Sequence, residues 1–242
     1  MMEQENYKKI EAGDGLWIIE EPMVRCFLLV GTKKALMIDS GCVITNAREI
    51  AETITDLPIM LANTHADGDH VNGNAQFEEI YMHPAEYAYY HHAYKKNEQI
   101  KPLWDGDTIS LGDREVRVIS NPGHTPGSVT FLDIKGRRLI GGDSIQNGNI
   151  FMFKEVRDLL AYLYSLEKVN GLAKQFDMVY PSHAQCPISK EIIPRLIEET
   201  RRMLEGEIDG TPDVCNGTPI RVFPLGSANI LYDAEKQFFE FS

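Results

Sequence analysis

The stretch Thr64-His65-Ala66-Asp67-Gly68-Asp69-His70 decides the reading of this chain. Four side chains of metal-ligand type, His65, Asp67, Asp69 and His70, fall within six residues, and no Lys or Arg lies nearby in the sequence to pair with the carboxylates. The run before it, Pro58-Ile59-Met60-Leu61-Ala62-Asn63, is apolar and closes on Asn, the pattern of a buried strand opening into a loop. A rigid strand end holds ligands well. In extended backbone His65 and Asp67 point the same way because side chains alternate, whereas the adjacent Asp69 and His70 address a different point. One segment can therefore serve two ions.

Three later islands repeat the theme. His124 sits in the Pro/Gly-rich loop Asn121-Pro122-Gly123-His124-Thr125-Pro126-Gly127. Asp143 ends Gly141-Gly142-Asp143 after the strand-like Arg138-Leu139-Ile140, and His183 ends Pro181-Ser182-His183 after Met178-Val179-Tyr180. A lone loop histidine is ordinarily structural or solvated; three ligand-type residues, each at the end of an apolar run and joined to the 64–70 cluster, read as one site.

Taken in order, these residues resemble the metallo-β-lactamase superfamily, whose signature His-x-His-x-Asp-His, then His, Asp and His, reads here as His65-x-Asp67-x-Asp69-His70, His124, Asp143 and His183. Met37-Ile38-Asp39-Ser40-Gly41 and Gly123-His124-Thr125-Pro126-Gly127 support the resemblance, which spans roughly residues 16 to 240. It implies an α+β fold, the four-layer αβ/βα sandwich, with metals at one edge between two sheets. It also implies two divalent ions: one held by His65, Asp67 and His124, the other by Asp69, His70 and His183. Asp143 and a hydroxide would bridge them, and Asp69 would act catalytically by orienting the nucleophile or shuttling a proton. The departure is Asp67, where most members carry His. Carboxylate suits zinc and suits harder ions better, and flavodiiron relatives with Glu at this position bind iron. Zinc is the first choice, with iron or manganese as alternatives. Two dications carry four positive charges, which the three aspartates and one hydroxide cancel; a histidine at 67 would leave one positive charge.

The implied activity is hydrolysis of a small ester, thioester or lactone. The alternatives are a metal phosphodiesterase and a di-iron protein reducing oxygen or nitric oxide. The latter would need a separate electron donor, since the chain leaves no room for a flavodoxin domain. No G-x-S-x-G nucleophile motif is present. The 242 residues are expected to form a single domain, 1–242, with an ordinary 43% of hydrophobic residues. The net charge of −12 argues against nucleic-acid binding, which needs basic patches, and leaves a small-molecule substrate. The polar, acidic start Met1-Met2-Glu3-Gln4-Glu5-Asn6 lacks a signal-peptide pattern, and no apolar run reaches the roughly 20 residues that span a bilayer. A cytoplasmic enzyme is expected, rather than an exported β-lactamase. Cys26, Cys42, Cys186 and Cys215 are too scattered for a disulfide framework.

Periodicity predicts strands near 16–20, 24–30, 35–39, 59–63, 79–82, 115–119, 129–133, 138–141, 178–180, 219–223, 228–232 and 237–241. It predicts helices over 47–54, from about Asp69, and over 84–97, 155–169 and 189–206. In the 155–169 helix Val156, Leu159, Leu160, Leu163, Leu166 and Val169 repeat at helical spacing. Asp39 is a candidate to orient a ligand histidine, and a turn role is the equal alternative. His83, before Pro84, reads as a structural loop histidine, with a place at the mouth of the site as the alternative, and His91 and His92 read as solvated. Tyr81, Tyr87, Tyr89, Tyr90, Tyr94 and Trp104 cover either the site, the helix's own core or a dimer contact, and Ile150-Phe151-Met152-Phe153 is a second candidate pocket wall.

Overall fold

A computed structural model describes residues 6–94 and 99–236. The first sheet has seven strands in chain order: β1 (Lys8–Glu11), β2 (Leu16–Glu20), β3 (Arg25–Val30), β4 (Ala35–Ile38), β5 (Ile59–Ala62), β6 (Ile80–Met82) and β7 (Ile100–Pro102). The first four pair antiparallel, and β4 through β7 run parallel. The helices among them are α1 (Ala47–Glu52), α2 (Gly68–Val71) and α3 (Tyr87–Tyr94).

Strands β2 to β5 read as continuous apolar runs because both of their faces are buried. Leu16, Ile18, Phe27, Leu29, Leu36 and Ile38 face a second sheet. The alternate residues Ile19, Cys26, Leu28, Ala35 and Met37 pack with Ala47, Ile50 and Ala51 of α1.

The second sheet is built from β8 (Thr108–Ser110), β9 (Glu115–Ser120), β10 (Val129–Asp133) and β11 (Arg138–Gly142). The chain then passes through β12 (Asn149–Met152) and α4 (Leu159–Asn170), and returns to the sheet with β13 (Met178–Pro181) and β14 (Ile188–Ser189). Val116, Val118, Val129, Phe131 and Ile140 meet the first sheet. Ile119, Leu132, Leu139 and Val179 face outward onto α4 and α5 (Ile192–Leu204), through Leu163, Leu166, Ile193 and Leu196. The layers are thus helix, sheet, sheet, helices: the αβ/βα sandwich.

Beyond that expectation, β12 joins β15 (Thr211–Cys215), β16 (Thr218–Pro224) and β17 (Asn229–Asp233) in a separate four-stranded sheet, with β12 parallel to β17. Its Ile150, Met152, Phe223 and Ile230 close the end of the helix-side core.

Helix starts differ from the periodic reading where local hydrogen bonding decides. Asp158 caps α4, its Oδ1 accepting from Ala161 N at 2.8 Å, so the helix begins at Leu159 and Val156 lies outside it, 39% exposed. Residues 84–86 form a 3₁₀ turn before α3. The expected strand at 237–241, residues 95–97 of the expected 84–97 helix and the Tyr94 side chain lie outside the described residues.

One consequence of this topology places the site. Strands β4, β5 and β6 run parallel in one sheet. In the other, β9 and β11 are both antiparallel to β10, and β13 is parallel to β11. Asp39, the 64–70 loop, His124, Asp143 and His183 all follow the C-terminal ends of these strands. They converge at one edge, as ligands do in sheets of this kind.

Candidate metal centre

Each ligand loop is fixed by buried polar contacts. Asn63 Nδ2 donates to His70 O at 3.1 Å and to Asn74 Oδ1 at 3.2 Å, while Asn74 Nδ2 returns a bond to Asn63 Oδ1 at 2.9 Å. Ser40 Oγ donates to Asn74 Oδ1 at 2.7 Å. Asp39, fully buried with φ +62°, accepts at Oδ1 from Thr64 N (2.7 Å) and at Oδ2 from Thr64 Oγ1 (2.8 Å). Gly142 turns the end of β11 at φ +57°, where a Cβ would lie 3.2 Å from Thr64 Cβ; glycine is the residue that admits both.

All four imidazoles aim Nε2 inward because Nδ1 is engaged. His124 Nδ1 lies 2.9 Å from Phe151 O, and His183 Nδ1 2.6 Å from Met23 O. A carbonyl only accepts, so Nδ1 carries the proton, and in the neutral ring Nε2 is the free donor atom. His70 Nδ1 lies 2.8 Å from Asp39 Oδ2, and His65 Nδ1 3.0 Å from Thr64 Oγ1. Asp39 thus orients a histidine of the site, the first of its two sequence readings.

Around the centre, His65 Nε2 and His124 Nε2 stand 3.2 Å apart, and Asp67 Oδ2 lies 3.5 and 3.3 Å from them. Asp69 Oδ2 lies 3.6 Å from His70 Nε2 and 3.3 Å from His183 Nε2. Between the two groups, Asp143 turns Oδ2 to His124 Nε2 at 3.7 Å and Oδ1 to the Nε2 atoms of His70 and His183, both at 3.2 Å. All seven sequence-predicted residues are therefore brought together. Within the sets His65–Asp67–His124, His65–His70–Asp143 and Asp69–His70–His183, one ligand atom per residue lies within 4.8 Å of the others.

The electrostatics favour a cation. Burial alone would lower the His183 pKa, but Asp143 and Asp69 push it up to about 10. Burial would likewise lower His70, yet Asp143, Asp39 and Asp69 hold it well above the ordinary value. Burial opposes ionisation of Asp143, yet His183 and His70 keep its carboxyl well below the carboxylate range. His70 Nε2, Asp143 Oδ1 and Asp67 Oδ1 are buried without a hydrogen-bond partner, an unusual condition for inward-facing polar atoms. Imidazole nitrogens and carboxylate oxygens in this arrangement fit divalent zinc, iron or manganese.

Two contributors carry no sequence signal. Glu86, buried at 1% exposure, accepts from Ala66 N through Oε2 (2.9 Å) and from Gly127 N through Oε1 (2.7 Å), tying the 64–70 loop to the His124 loop. Arg157, 90 residues from Asp67, donates from Nη2 to Asp67 Oδ2 at 2.6 Å and from Nη1 to His124 O. The carboxylate cluster that lacks a cation nearby in sequence therefore has one in space.

Asp67, Asp69, His124, Asp143 and His183 line an open cleft of about 640 Å³. Phe151 and Phe153 form its wall as expected, while Ile150 and Met152 alternate into the core. Of the described aromatic side chains at 81–104, Tyr89 reaches the cleft. Tyr90 is buried with Ala66, Val71 and Met82, and Trp104 packs edge-on against His83 at 5.3 Å. His83 is structural, its Nδ1 accepting from Ala85 N at 3.2 Å, and Cys186 packs on the inter-sheet core.

The family model of the metallo-beta-lactamase superfamily matches residues 20–206. The chain belongs to the metallo-β-lactamase superfamily. Solved structures agree in fold. A metallo-beta-lactamase from Pontibacter korlensis superposes with TM-score 0.70 at 15% identity, covering 81% of this chain and 99% of that one. A metallo-beta-lactamase family protein from Thermus thermophilus gives 0.66 at 20% identity, covering 84% and 86%. Among superfamily relatives, the acyl-coenzyme A thioesterase MBLAC2 of Gallus gallus is 24% identical over 216 residues, covering 71% of this chain and 78% of its own. The hydroxyacylglutathione hydrolase of Francisella tularensis subsp. novicida is 30% identical over 164 residues, covering 65% and 61%. The chain is a superfamily hydrolase. No helix among the described residues is long and apolar enough to cross a membrane.

Proposed function

We propose that this chain is a dinuclear metal-dependent hydrolase of a small thioester. In this reading His65, Asp67 and His124 would hold one ion and Asp69, His70 and His183 the other, with Asp143 shared between the two sets. The observation that carries it is the carboxylate of Asp143, buried between the two groups with one oxygen toward each. The carbonyls that hold the Nδ1 protons of His124 and His183, which turn their Nε2 atoms to the centre, support the same reading. Zinc is the first choice of metal, with iron or manganese as alternatives.

When bound, the ions supply Lewis acidity, making hydroxide available near neutral pH and drawing charge from the carbonyl oxygen. The chain's own residues do the rest. Asp69, about a third exposed to the cleft and with Oδ2 turned to His70 and His183, takes the proton of the attacking water on its other oxygen, Oδ1, and later delivers it toward the leaving sulfur. Phe151, Phe153 and Tyr89 bind the acyl group and keep water from that side of the cleft. Lys154, whose ammonium lies 5.7 Å from the Phe153 ring centre, gives the wall a positive charge toward an anionic thiol carrier.

Relatives named for two different thioesters support thioesters ahead of esters and lactones. Four free thiols fit a reducing, cytoplasmic compartment. We infer a single domain over residues 1–242, because the helix-side core joins strands of the second and third sheets to α4 and α5.

The test is a panel of acyl-CoA, acylglutathione, lactone, aryl ester and phosphodiester substrates, with metal content measured on the same preparation. Thioesters should lead in kcat/KM with close to two metal equivalents bound. A phosphodiester preferred tenfold, or fewer than half an equivalent of metal after supplemented expression, would overturn the reading.

A further inference from the structure

Asp67 Oδ2 faces two imidazoles, and the same oxygen accepts the 2.6 Å hydrogen bond from Arg157 Nη2. The other terminal nitrogen of Arg157 holds the backbone carbonyl of His124. One guanidinium therefore binds the side chain of one proposed ligand and the main chain of another. Its side chain is 7% exposed and its Nε is buried without a partner, so solvent does little to screen its charge. Among the ion pairs of the described residues, Arg157 is the Lys or Arg that reaches a carboxylate of the site; Asp69 and Asp143 face imidazoles alone. Lys154 lines the same cleft, but its ammonium lies over Phe153.

The superfamily signature has histidine where this chain has Asp67. A carboxylate there adds one negative charge to the centre, and a guanidinium bonded to that carboxylate returns it. We propose that Arg157 is a positioning residue that makes Asp67 the electrostatic equivalent of an imidazole, and that the Asp67–Arg157 pair sets which divalent cation the first ligand set prefers. The inference rests on the ligand assignment made above and extends it to a residue that signature does not contain.

Three consequences follow from charge and hardness. Arg157→Met keeps the buried stem but removes the charge. The site becomes more negative, Asp67 loses its hold, and preference moves from zinc toward manganese. Asp67→His alone sets an imidazole and an incoming dication against an unpaired buried guanidinium, so zinc binding weakens. The double variant removes both charges together and regains zinc binding.

The experiment measures zinc and manganese dissociation constants of the wild type and the three variants. Each full-length protein is stripped with chelator and titrated in competition with a chromophoric indicator, and circular dichroism verifies folding. The zinc-over-manganese ratio should fall at least tenfold in Arg157→Met. Asp67→His should cost at least tenfold in zinc affinity when Arg157 is present and no more than about threefold in the Arg157→Met background. Arg157→Gln, neutral but still able to donate to Asp67, should show the same fall in ratio and serves if the methionine variant does not fold. A purely structural arginine would weaken both metals by one factor and leave the ratio unchanged. An unchanged ratio, or additive effects in the double variant, overturns the inference. Wild type that binds neither metal overturns the ligand assignment and this inference with it, an outcome visible before any variant is made.

Discussion

Replacing Glu86 by alanine removes the bond that holds the two ligand loops together. Its carboxylate accepts from Ala66 N and Gly127 N at 2.9 and 2.7 Å, and Ala66, Gly127 and Glu86 are all buried. A hydrogen bond to a charged acceptor contributes roughly 1.5–3 kcal/mol, and its loss leaves a buried N–H unpaired. Two such bonds would give about 3–6 kcal/mol. Removing a buried carboxylate also relieves its desolvation cost, which brings the expected net loss to about 3 kcal/mol. With a urea m-value of about 3 kcal/mol per molar, the unfolding midpoint should fall by about 1 M. Glu86→Gln keeps one acceptor but turns an amide N–H₂ toward a backbone N–H, so it should fall between the two. Gly127 sits so close that a Cβ there would meet Glu86 Cγ at 2.7 Å, and Gly127→Ala should reproduce part of the loss. The second readout is metal. The 3.2 Å approach of His65 and His124 Nε2 depends on these loops, so affinity of the first ligand set should drop at least tenfold in Glu86→Ala. Urea unfolding of the metal-free protein and indicator competition test the two arms. A variant within 1 kcal/mol of wild type with unchanged metal affinity would refute the reasoning.

Further outcomes are expected. Asp143→Ala should leave the chain folded by circular dichroism and lower thioester kcat/KM by three orders of magnitude or more, since it removes the carboxylate shared by both sets; full activity in the folded variant rules out the assignment. Asp39→Ala releases His70 Nδ1 and should cost roughly 10–100-fold in affinity of the second ligand set, measured by indicator competition. Chelation should lower stability by about 4 kcal/mol for an ion held at 1,000 times its Kd, a Tm fall of roughly 10 °C in calorimetry, with zinc restoring it. Burial pushes the Cys186 thiol up to about 12 and holds Cys26 well above its ordinary value. Both should resist a charged disulfide reagent at pH 8 in the native protein and react on unfolding, as mapped by mass spectrometry, because the thiolate is the nucleophile.

By itself the amino-acid sequence determined what is local or compositional. Apolar runs near 16–20, 24–30, 35–39 and 59–63 announce strands. Helical spacing announces α4 and α5. The chemistry of His65, Asp67, Asp69, His70, His124, Asp143 and His183, each following an apolar run, announces a metal site before any geometry is known. Tertiary structure decided what depends on which distant segments meet. The start of α4 moved to Leu159 because Asp158 caps it, a contact periodicity does not see. Strand β12 joined β17 in a third sheet because parallel pairing across about eighty residues leaves no trace in either strand's own pattern. Of the aromatic cluster, Tyr89 faces the cleft and the neighbouring Tyr90 the core, a split set by the rotation of one short helix against its neighbours. No sequence pattern singles out Glu86 or Arg157. They become parts of the centre only when the strand ends converge, because burial turns a backbone N–H into a demand for an acceptor, and Asp67, half-buried beside two other carboxylates, into a demand for a cation.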